Sequence, residues 1–244
     1  AAGAERLPQA QLISMRRNSG LSAARNAGLS AARGRYLSFL DGDDVAAPGH
    51  FPALLSVIER LGCDFVRTDH VQVRGRQRLL HWISHAPRGV VCPARSGIGP
   101  AGRRSSVDAP YAWAGIYHRR LQDAGLLDFH EDLRTCEDRP WIWGLHLHAG
   151  TFAVVGLHGV LYRRGVSASL TQLGDERQFD FIPAFERIVQ QVSDDPEAAT
   201  LLPKIAAMLE KAERRISTLV LTVLNDGPVT PEQAEAVAFS QGEG

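Results

Sequence analysis

Apolar residues along the chain recur at spacings typical of helices and of short strands in turn. The first predicted elements, in chain order, are a helix at Leu21 to Arg33, a strand at Tyr36 to Leu40, a helix at Phe51 to Leu61 and a strand at Cys63 to Thr68. Because helices and strands alternate, the pattern predicts an α/β fold with a mostly parallel sheet flanked by helices. The strand at Tyr36 to Leu40 is expected to carry Asp41 at its C-terminal end.

The second half of the chain continues this alternation. The elements predicted there are a hairpin at Val71 to Leu80, a short helix near Arg119 to Ala124, a helix from Arg139 or Pro140 to Ala149, and strands near Thr151 to Val155 and Val160 to Arg163. The Gly-, Pro-, Arg- and Ser-rich stretch from Pro87 to Ser106 is predicted to be a mobile loop. From about Gln178 to Val223 the spacing predicts helices with one apolar face each. We therefore divide the chain into a catalytic domain, residues 1–174, and a C-terminal helical region, residues 175–244.

Charge is distributed unevenly between these two regions. Residues 1–174 carry 21 Lys and Arg against 14 Asp and Glu, whereas residues 175–244 carry 6 against 13. The basic excess suits an anionic ligand such as a diphosphate or a polyanionic acceptor, and plain surface charge explains it equally well. Nucleic acid is not an expected partner, since no Lys- and Arg-dense run with interleaved aromatic residues is present. The acidic helices offer a docking surface for a membrane, another protein, a second subunit or the basic region, and the sequence leaves this choice and the oligomeric state open.

Cysteine usage and hydropathy bound the location. Cys63, Cys92 and Cys136 lie far apart without a C-x-x-C pair, so neither a zinc ribbon nor a disulfide framework is supported. No apolar stretch approaches the roughly 18 residues needed to cross a bilayer. We expect the protein to lie in the cytoplasm, where the inner face of the membrane is one location open to it. The first residue is Ala1 and not Met, which suggests that upstream sequence is missing.

Three carboxylates are crowded into the four residues Asp41-Gly42-Asp43-Asp44. Their mutual repulsion is costly unless a cation offsets it, and hard oxygen ligands favour Mg²⁺ or Mn²⁺. Such ions bind substrate phosphates to complete their coordination, so a diphosphate ligand fits. The alternative is an Asp-Gly turn that is merely acidic.

Two neighbouring segments resemble the central block of family 2 glycosyltransferases. They are Asn18-Ser19-Gly20-Leu21-Ser22-Ala23-Ala24-Arg25-Asn26-Ala27-Gly28 and Gly34-Arg35-Tyr36-Leu37-Ser38-Phe39-Leu40-Asp41-Gly42-Asp43-Asp44. The resemblance implies a GT-A fold and a nucleotide-diphosphate sugar donor, expected to be a UDP-sugar. Asn18 and Arg25 are then nucleotide-side candidates. Asp41, Asp43 and Asp44 match the D-x-D motif and are metal-side candidates, with Asp41 also near the nucleotide. For Arg25 a structural pair with a carboxylate is an equal alternative.

A third segment, Cys136-Glu137-Asp138-Arg139-Pro140-Trp141-Ile142-Trp143, resembles the family's E-D motif at the start of a helix. The resemblance implies that Asp138 is the catalytic base and that transfer to an acceptor hydroxyl inverts the anomeric carbon. A plain helix N-cap is the alternative for Asp138. Leu161 to Arg164, followed by Ser167 to Thr171, is similar to the family's closing Tyr/Arg…Ser segment, which makes Arg163, Arg164 and Ser169 further nucleotide-side candidates. A basic strand end with a Ser-rich turn is the alternative. The implied acceptor is a glycan or a lipid-linked molecule, in bacterial surface polysaccharide synthesis.

The chain departs from the family pattern before Asn18. The family's first strands, which hold the nucleotide base, have no counterpart in the first 17 residues, so the catalytic domain is expected to be N-terminally incomplete. Two other functions stay open. A haloacid-dehalogenase-like phosphatase would use Asp41 and Asp43, with a later motif at Gly174-Asp175 to Asp180, although its usual Lys between the motifs is missing. A non-catalytic remnant of the glycosyltransferase fold is the third.

Aromatic and histidine residues add weaker hypotheses. Trp113, Trp141 and Trp143 are candidates for a sugar platform, with at least one of the last two expected in the core. The pairs His81/His85 and His146/His148 match no zinc pattern, so these histidines are expected to be surface or structural residues.

Overall fold

A computed structural model of the chain describes residues 9–164 and 181–226, with side chains up to residue 214. The helices are α1 (Gly20–Ala31), α2 (His50–Leu61), α3 (Arg119–Asp123), α4 (Asp138–His148), α5 (Phe181–Ser193) and α6 (Ala198–Asp226). The strands are β1 (Tyr36–Leu37), β2 (Val45–Ala46), β3 (Phe65–Thr68), β4 (His70–Arg74), β5 (Gln77–His81), β6 (Val91–Pro93), β7 (Gly115–His118), β8 (Thr151–Val155) and β9 (Val160–Arg163). None of the described helices has the length and apolar character needed to span a bilayer.

The described strands form two mixed sheets, with the strand orders β1-β7-β3-β8-β6 and β2-β9-β4-β5. Among the seven pairings in this part of the chain, only β3–β8 and β4–β9 are parallel. The α/β class is confirmed, but the prediction of a mostly parallel sheet is wrong. Its physical reason is that β7 enters antiparallel between β1 and β3, while the hairpin β4–β5 and strand β6 add antiparallel edges.

The two sheets are joined by a pair of strands that runs through both. A single residue, Asp69, separates β3 from β4, and β8 likewise leads through residues 156–159 into β9. Asp69 is buried, and it accepts hydrogen bonds from Ile83 N at 2.8 Å and from the Arg88 guanidinium at 2.9 and 3.0 Å. These bonds hold the segment that follows β5 against Asp69, where the chain passes from the first sheet to the second.

The main core lies between the first sheet and helix α4. Phe65, Tyr117 and Phe152 stack across β3, β7 and β8, and the α4 residues that face them are buried. The same core continues into α5 through Ile188 and Val192, and into α6 through residues on its first turns. The predicted packing faces of these C-terminal helices are thus confirmed for the described side chains.

Two local predictions are wrong. The strand expected at Tyr36 to Leu40 pairs through its backbone only over Tyr36–Leu37, and beside the next residues of β7 the Ser38 hydroxyl donates to Gly115 O at 2.8 Å instead. The stretch from Pro87 to Ser106 is not one loop: it contains β6, which pairs with β8, and a 3₁₀ segment at Ala94–Gly97. Both elements are held by distant parts of the chain, since Ala94 N donates to Gly150 O at 2.9 Å.

Candidate active site

Helix α1 is fixed by polar side chains to the segment that leads into α4. Ser22 Oγ donates to Leu133 O at 3.3 Å. Asn26 makes a reciprocal pair with the Phe129 backbone, donating to its carbonyl at 2.9 Å and accepting from its N–H at 2.8 Å. Asn18 lies before the helix and is exposed, and its side-chain oxygen accepts from Gly20 N at 3.1 Å. Asn18 therefore bonds to the first backbone N–H of α1, and Ser22 and Asn26 position the chain that leads to Glu137 and Asp138.

The acidic segment forms a tight turn after β1. Asp44 N donates to Asp41 O at 3.1 Å, which closes the turn. Asp44 is buried; its Oδ1 accepts from Arg163 N at 2.9 Å, and its Oδ2 has no hydrogen-bond partner. The expected acidic turn and the expected carboxylate site are thus one structure, in which one buried carboxylate oxygen is left unsatisfied.

Arg25 joins this turn to the start of α4. Its guanidinium is 7% exposed and contacts Asp41 Oδ1 at 3.0 Å, Glu137 Oε1 at 2.9 Å and Asp138 Oδ1 at 2.5 Å. The guanidinium carbon also lies 5.0 Å from the centre of the Phe129 ring. Arg25 therefore has the carboxylate partners of the structural alternative, and it brings the D-x-D-like turn and the E-D segment into one cluster.

The backbone before α4 aims both carboxylates at this cluster. Cys136 has a φ of 61°, and it is the one non-glycine residue with positive φ among those described. Such a conformation costs of order 1 kcal/mol and persists where surrounding contacts impose it. Asp138 begins the helix, and its Oδ2 accepts from Ala112 N at 3.1 Å. Asp138 is thus oriented by Arg25 on one oxygen and by Ala112 on the other.

Negative charge exceeds positive charge in the cluster. Burial, reinforced by the neighbouring Asp138, raises the pKa of Glu137 to about 8. Burial also raises the pKa of Asp44 to about 6, with Asp43 and Asp41 adding to the shift. The pKa of Asp41 is raised by burial as well, although Arg25 opposes the change. Carboxylates held in this state are stabilised by any cation that reaches them.

An aromatic cluster lies next to the backbone groups that bond to Asp138 and Asp44. It consists of His70, His81, Tyr111, Trp113 and Tyr162. Tyr111 stacks on Trp113 with centroids 4.9 Å apart, and Trp113 lies 5.1 Å from Tyr162. His70 contacts both Tyr111 and Trp113, and stacks on His81 at 5.3 Å. Ala112, between the first two residues, donates to Asp138, and Arg163, directly after Tyr162, donates to Asp44. Residues of the aromatic cluster are therefore sequence neighbours of both backbone N–H groups that bond to Asp138 and Asp44.

The remaining predicted residues have mixed outcomes. The Arg163 side chain donates to the Asp43 carbonyl, and Arg164 Nη1 donates to the Tyr162 hydroxyl at 3.1 Å, with its guanidinium over that ring. Ser169 and the phosphatase-like segment at Gly174 to Asp180 lie outside the described residues. Trp113, Trp141 and Trp143 are at most 3% exposed, so none of them is an open sugar platform. Within residues 9–164 and 181–214, no three His, Cys, Asp or Glu side chains are arranged to hold a metal ion.

The sequence matches the model of glycosyl transferase family 2 over residues 2–135. The chain belongs to glycosyl transferase family 2. This match covers α1, the acidic turn and the aromatic residues Tyr111 and Trp113, and it ends just before Glu137-Asp138. No curated protein matches the chain by sequence.

Solved structures agree with this family assignment at the level of the fold. S. aureus TarS 1-349 in complex with UDP-GlcNAc superposes with a TM-score of 0.67 at 17% identity, over 85% of this chain and 58% of that one. TarS 1-349 in complex with UDP gives a TM-score of 0.62 at 14% identity, over 92% and 69%. The chain thus spans little more than half of the first of these relatives. The GT-A fold expected of a family 2 member is confirmed, with mixed sheets.

Sequence reasoning missed two buried residues beside this candidate site. Arg67 in β3 is fully buried, donates to Ala109 O at 2.6 Å, and leaves Nε and Nη1 without partners. His70 is fully buried, and neither ring nitrogen has a partner. The available signal was that Arg67 and His70 lie on either side of the C-terminal end of β3, and such strand ends are where α/β sheets bind ligands.

Proposed function

We propose that this family 2 member transfers a sugar from a nucleotide-diphosphate donor, with UDP-sugar as the favoured class, to an acceptor hydroxyl with inversion. The observation that carries the proposal is the contact of one arginine, Arg25, with both the acidic turn and Asp138. A sugar transfer needs a base at the acceptor and a cation near the leaving diphosphate, and these two needs meet in this cluster. The TarS structures with UDP and UDP-GlcNAc support the donor class by similarity of fold.

Asp138 is proposed as the base. A raised pKa means that Glu137 is largely protonated near neutral pH, so the two adjacent carboxyl groups have separate roles. Asp138 accepts the proton of the acceptor hydroxyl while the oxygen of that hydroxyl forms a bond to the anomeric carbon. The bond from this carbon to the nucleoside diphosphate breaks, and its electron pair leaves with the diphosphate. The backbone N–H of Ala112 keeps the carboxylate oriented for this transfer.

The acidic turn is proposed to hold Mn²⁺ or Mg²⁺ through Asp43 and Asp44, with Asp41 as an additional ligand. The unsatisfied Asp44 Oδ2 fits a hard cation, although Asp41 Oδ1 is already paired with Arg25. A divalent ion there would offset the charge of the leaving diphosphate. Asn18, Arg163, Arg164 and Ser169 remain proposed nucleotide-side residues, and a glycan or lipid-linked acceptor at the inner face of the membrane remains the proposed setting.

Tyr111 and Tyr162 of the aromatic cluster are proposed to bind the transferred or receiving sugar, in place of the buried Trp113, Trp141 and Trp143. Tyr111 and Tyr162 are half-buried, so a sugar ring can reach them. Replacing Tyr111 with Leu should weaken UDP-sugar or acceptor binding about fivefold, since aromatic stacking contributes roughly 1 kcal/mol. UDP binding should be unchanged in isothermal titration. Equal loss for UDP and UDP-sugar would assign Tyr111 to the nucleotide instead.

The test of the whole proposal is Asp138→Asn. Transfer should fall about 10³-fold, because general base catalysis contributes 10²- to 10⁴-fold, while UDP affinity in the presence of Mn²⁺ stays within about twofold. Asp123→Asn, an exposed carboxylate on α3, is the matched control. Retained transfer in Asp138→Asn removes this residue from the base role. Absence of heat with UDP-, GDP- and dTDP-sugars in the unmutated chain favours the non-catalytic remnant.

A further inference from the structure

The β4–β5 hairpin and the segment after it differ from the rest of the chain in charge. From His70 to Val107 the sequence contains seven arginines and neither Asp nor Glu, whereas the whole chain balances 27 basic and 27 acidic residues. Arg74, Arg76 and Arg78 surround the hairpin turn, and all three are exposed. The turn therefore presents concentrated positive charge.

Large apolar side chains are exposed at the same hairpin. Leu79 and Leu80 are each 48% exposed, and Trp82 is 51% exposed. Successive strand residues point to opposite faces, so β5 exposes a leucine on both of its faces. This strand is the edge of its sheet, and residues 74–80 are exposed without interruption. The tip of the hairpin thus stands clear of the protein body.

A cation–π contact positions Trp82, and further exposed apolar side chains follow in the sequence. The Arg88 guanidinium lies 5.1 Å from the Trp82 ring centre. Two residues further along, Val90 and Val91 are 49% and 41% exposed. Arg88 is itself held by Asp69, so Trp82 is positioned by a fixed partner.

We propose that this hairpin, residues 74–82, docks the protein on an anionic lipid bilayer. Anionic headgroups attract exposed arginines near the surface, and tryptophan and leucine favour the layer between headgroups and acyl chains. A soluble polyanion would also attract the arginines, but it offers nothing to bury Leu79, Leu80 and Trp82. The combination of the two features selects the bilayer.

Docking at this hairpin has a geometric consequence for the aromatic cluster. Strand β4 runs from His70, in the aromatic cluster, to Arg74 at the tip, which is about 14 Å at the usual rise per residue. A docked protein holds that cluster within this distance of the lipid surface, in reach of an acceptor attached to a lipid. This last step rests on the proposed function, whereas the docking does not.

Vesicle binding with tryptophan fluorescence tests the docking without any donor. Trp82 is exposed, while Trp113, Trp141 and Trp143 are buried, so a change in the emission on binding reports on Trp82. We expect a blue shift with phosphatidylglycerol/phosphatidylcholine vesicles, none with pure phosphatidylcholine, and quenching by brominated acyl chains. Trp82→Phe should lose the shift and still sediment with the anionic vesicles.

Paired variants separate the charge from the apolar contribution. Arg76→Gln with Arg78→Gln should weaken partitioning about 25-fold, since each basic residue near such a surface contributes about fivefold. Leu79→Ser with Leu80→Ser should weaken it about tenfold. Arg33→Gln with Arg60→Gln, and Phe51→Ser with Leu55→Ser, are exposed controls expected to stay within about twofold. Circular dichroism checks that every variant is folded.

Three outcomes would overturn the proposal. The first is partitioning that does not distinguish anionic from neutral vesicles. The second is equal loss in the control pairs. The third is binding of inorganic polyphosphate without vesicle binding and without a shift of Trp82 emission, which would make the arginines a polyanion site. None of these outcomes bears on sugar transfer, so they leave the proposed function intact.

Discussion

The two ends of helix α4 lie in opposite chemical surroundings. At its start, Glu137 and Asp138 share one guanidinium with Asp41, and Asp44 nearby has an unsatisfied oxygen. About two turns later, His146 is fully buried and both of its ring nitrogens are bonded, to Ala94 O at 2.6 Å and to Ser106 Oγ at 2.8 Å. The start of α4 holds several carboxylates around one arginine, and the later turn holds a neutral imidazole with both nitrogens hydrogen-bonded. The start of α4 thus carries the charged candidate site, and its later turns carry a neutral group whose hydrogen bonds are satisfied.

The largest expected change comes from removing the cation at the start of α4. Arg25→Leu leaves partly buried carboxylates without a counter-charge, and we expect about 4 kcal/mol loss in the free energy of unfolding near pH 8. The loss should shrink as the pH falls and the carboxylates take up protons. Urea unfolding at several pH values measures it, with the exposed Arg33→Leu as control. An unchanged midpoint would mean that the three ion pairs contribute nothing net.

Removing His146, towards the other end of α4, should lower the free energy of unfolding by less than removing Arg25. A carbonyl can only accept, so His146 Nδ1 carries the proton and Nε2 accepts from the Ser106 hydroxyl. His146→Leu leaves the Ala94 carbonyl and that hydroxyl unpaired in the core, and we expect about 3 kcal/mol of destabilisation. His148→Leu, exposed on the same helix, should change stability by less than about 0.5 kcal/mol. Similar effects for the two would contradict the assigned hydrogen bonds.

A smaller effect is expected where the 3₁₀ segment touches His146. A Cβ added to Gly97 would lie 2.3 Å from His146 Cε1 and 3.0 Å from Phe152 Cζ. Two hydrogen bonds prevent the imidazole from moving aside, so Gly97→Ala should cost about 2 kcal/mol by overpacking. The cost should nearly vanish in a His146→Ala background, and Gly102→Ala, in open space, is the control. A cost that persists beside His146→Ala would place the strain elsewhere.

The smallest effect near neutral pH is a pH dependence from His146, the neutral histidine of α4. Burial lowers the pKa of His146 to about 3, whereas the unfolded chain has a histidine pKa near 6.5. Below pH 6.5 the unfolded state therefore binds the extra proton, and stability falls by up to about 1.4 kcal/mol per pH unit from this group until the pH nears 3. Above pH 6.5 its contribution is constant. His146→Gln should flatten the curve between pH 7 and 5 by that slope, and parallel curves would rule the effect out.

The sequence predicts the elements that short-range patterns specify, and it misses the features that depend on residues far apart in the chain. Strands β8 and β9 and helix α4 match their predictions closely, since apolar spacing and Pro140 are local signals. The partners of Arg25 are not local: Glu137 is 112 residues away, so the sequence left ligand and carboxylate pairing equally open. Strand β6 is specified by pairing with β8, and the mixed strand directions depend on where β7 inserts. The position of Arg67 near the end of a strand could be read from the sequence, but its burial could not, because an arginine usually indicates a solvent-exposed position.

The pair of strands that crosses from one sheet to the other limits how the site can adapt. The carboxylate of Asp44 is held from β9, and the aromatic cluster begins on β4, directly beside it. Moving these groups apart would require both strands to bend together at Asp69 and at residues 156–159. Under the proposed function, a change of sugar preference is therefore expected to need exchange of side chains such as Tyr111 and His81, because the strands themselves are held in both sheets.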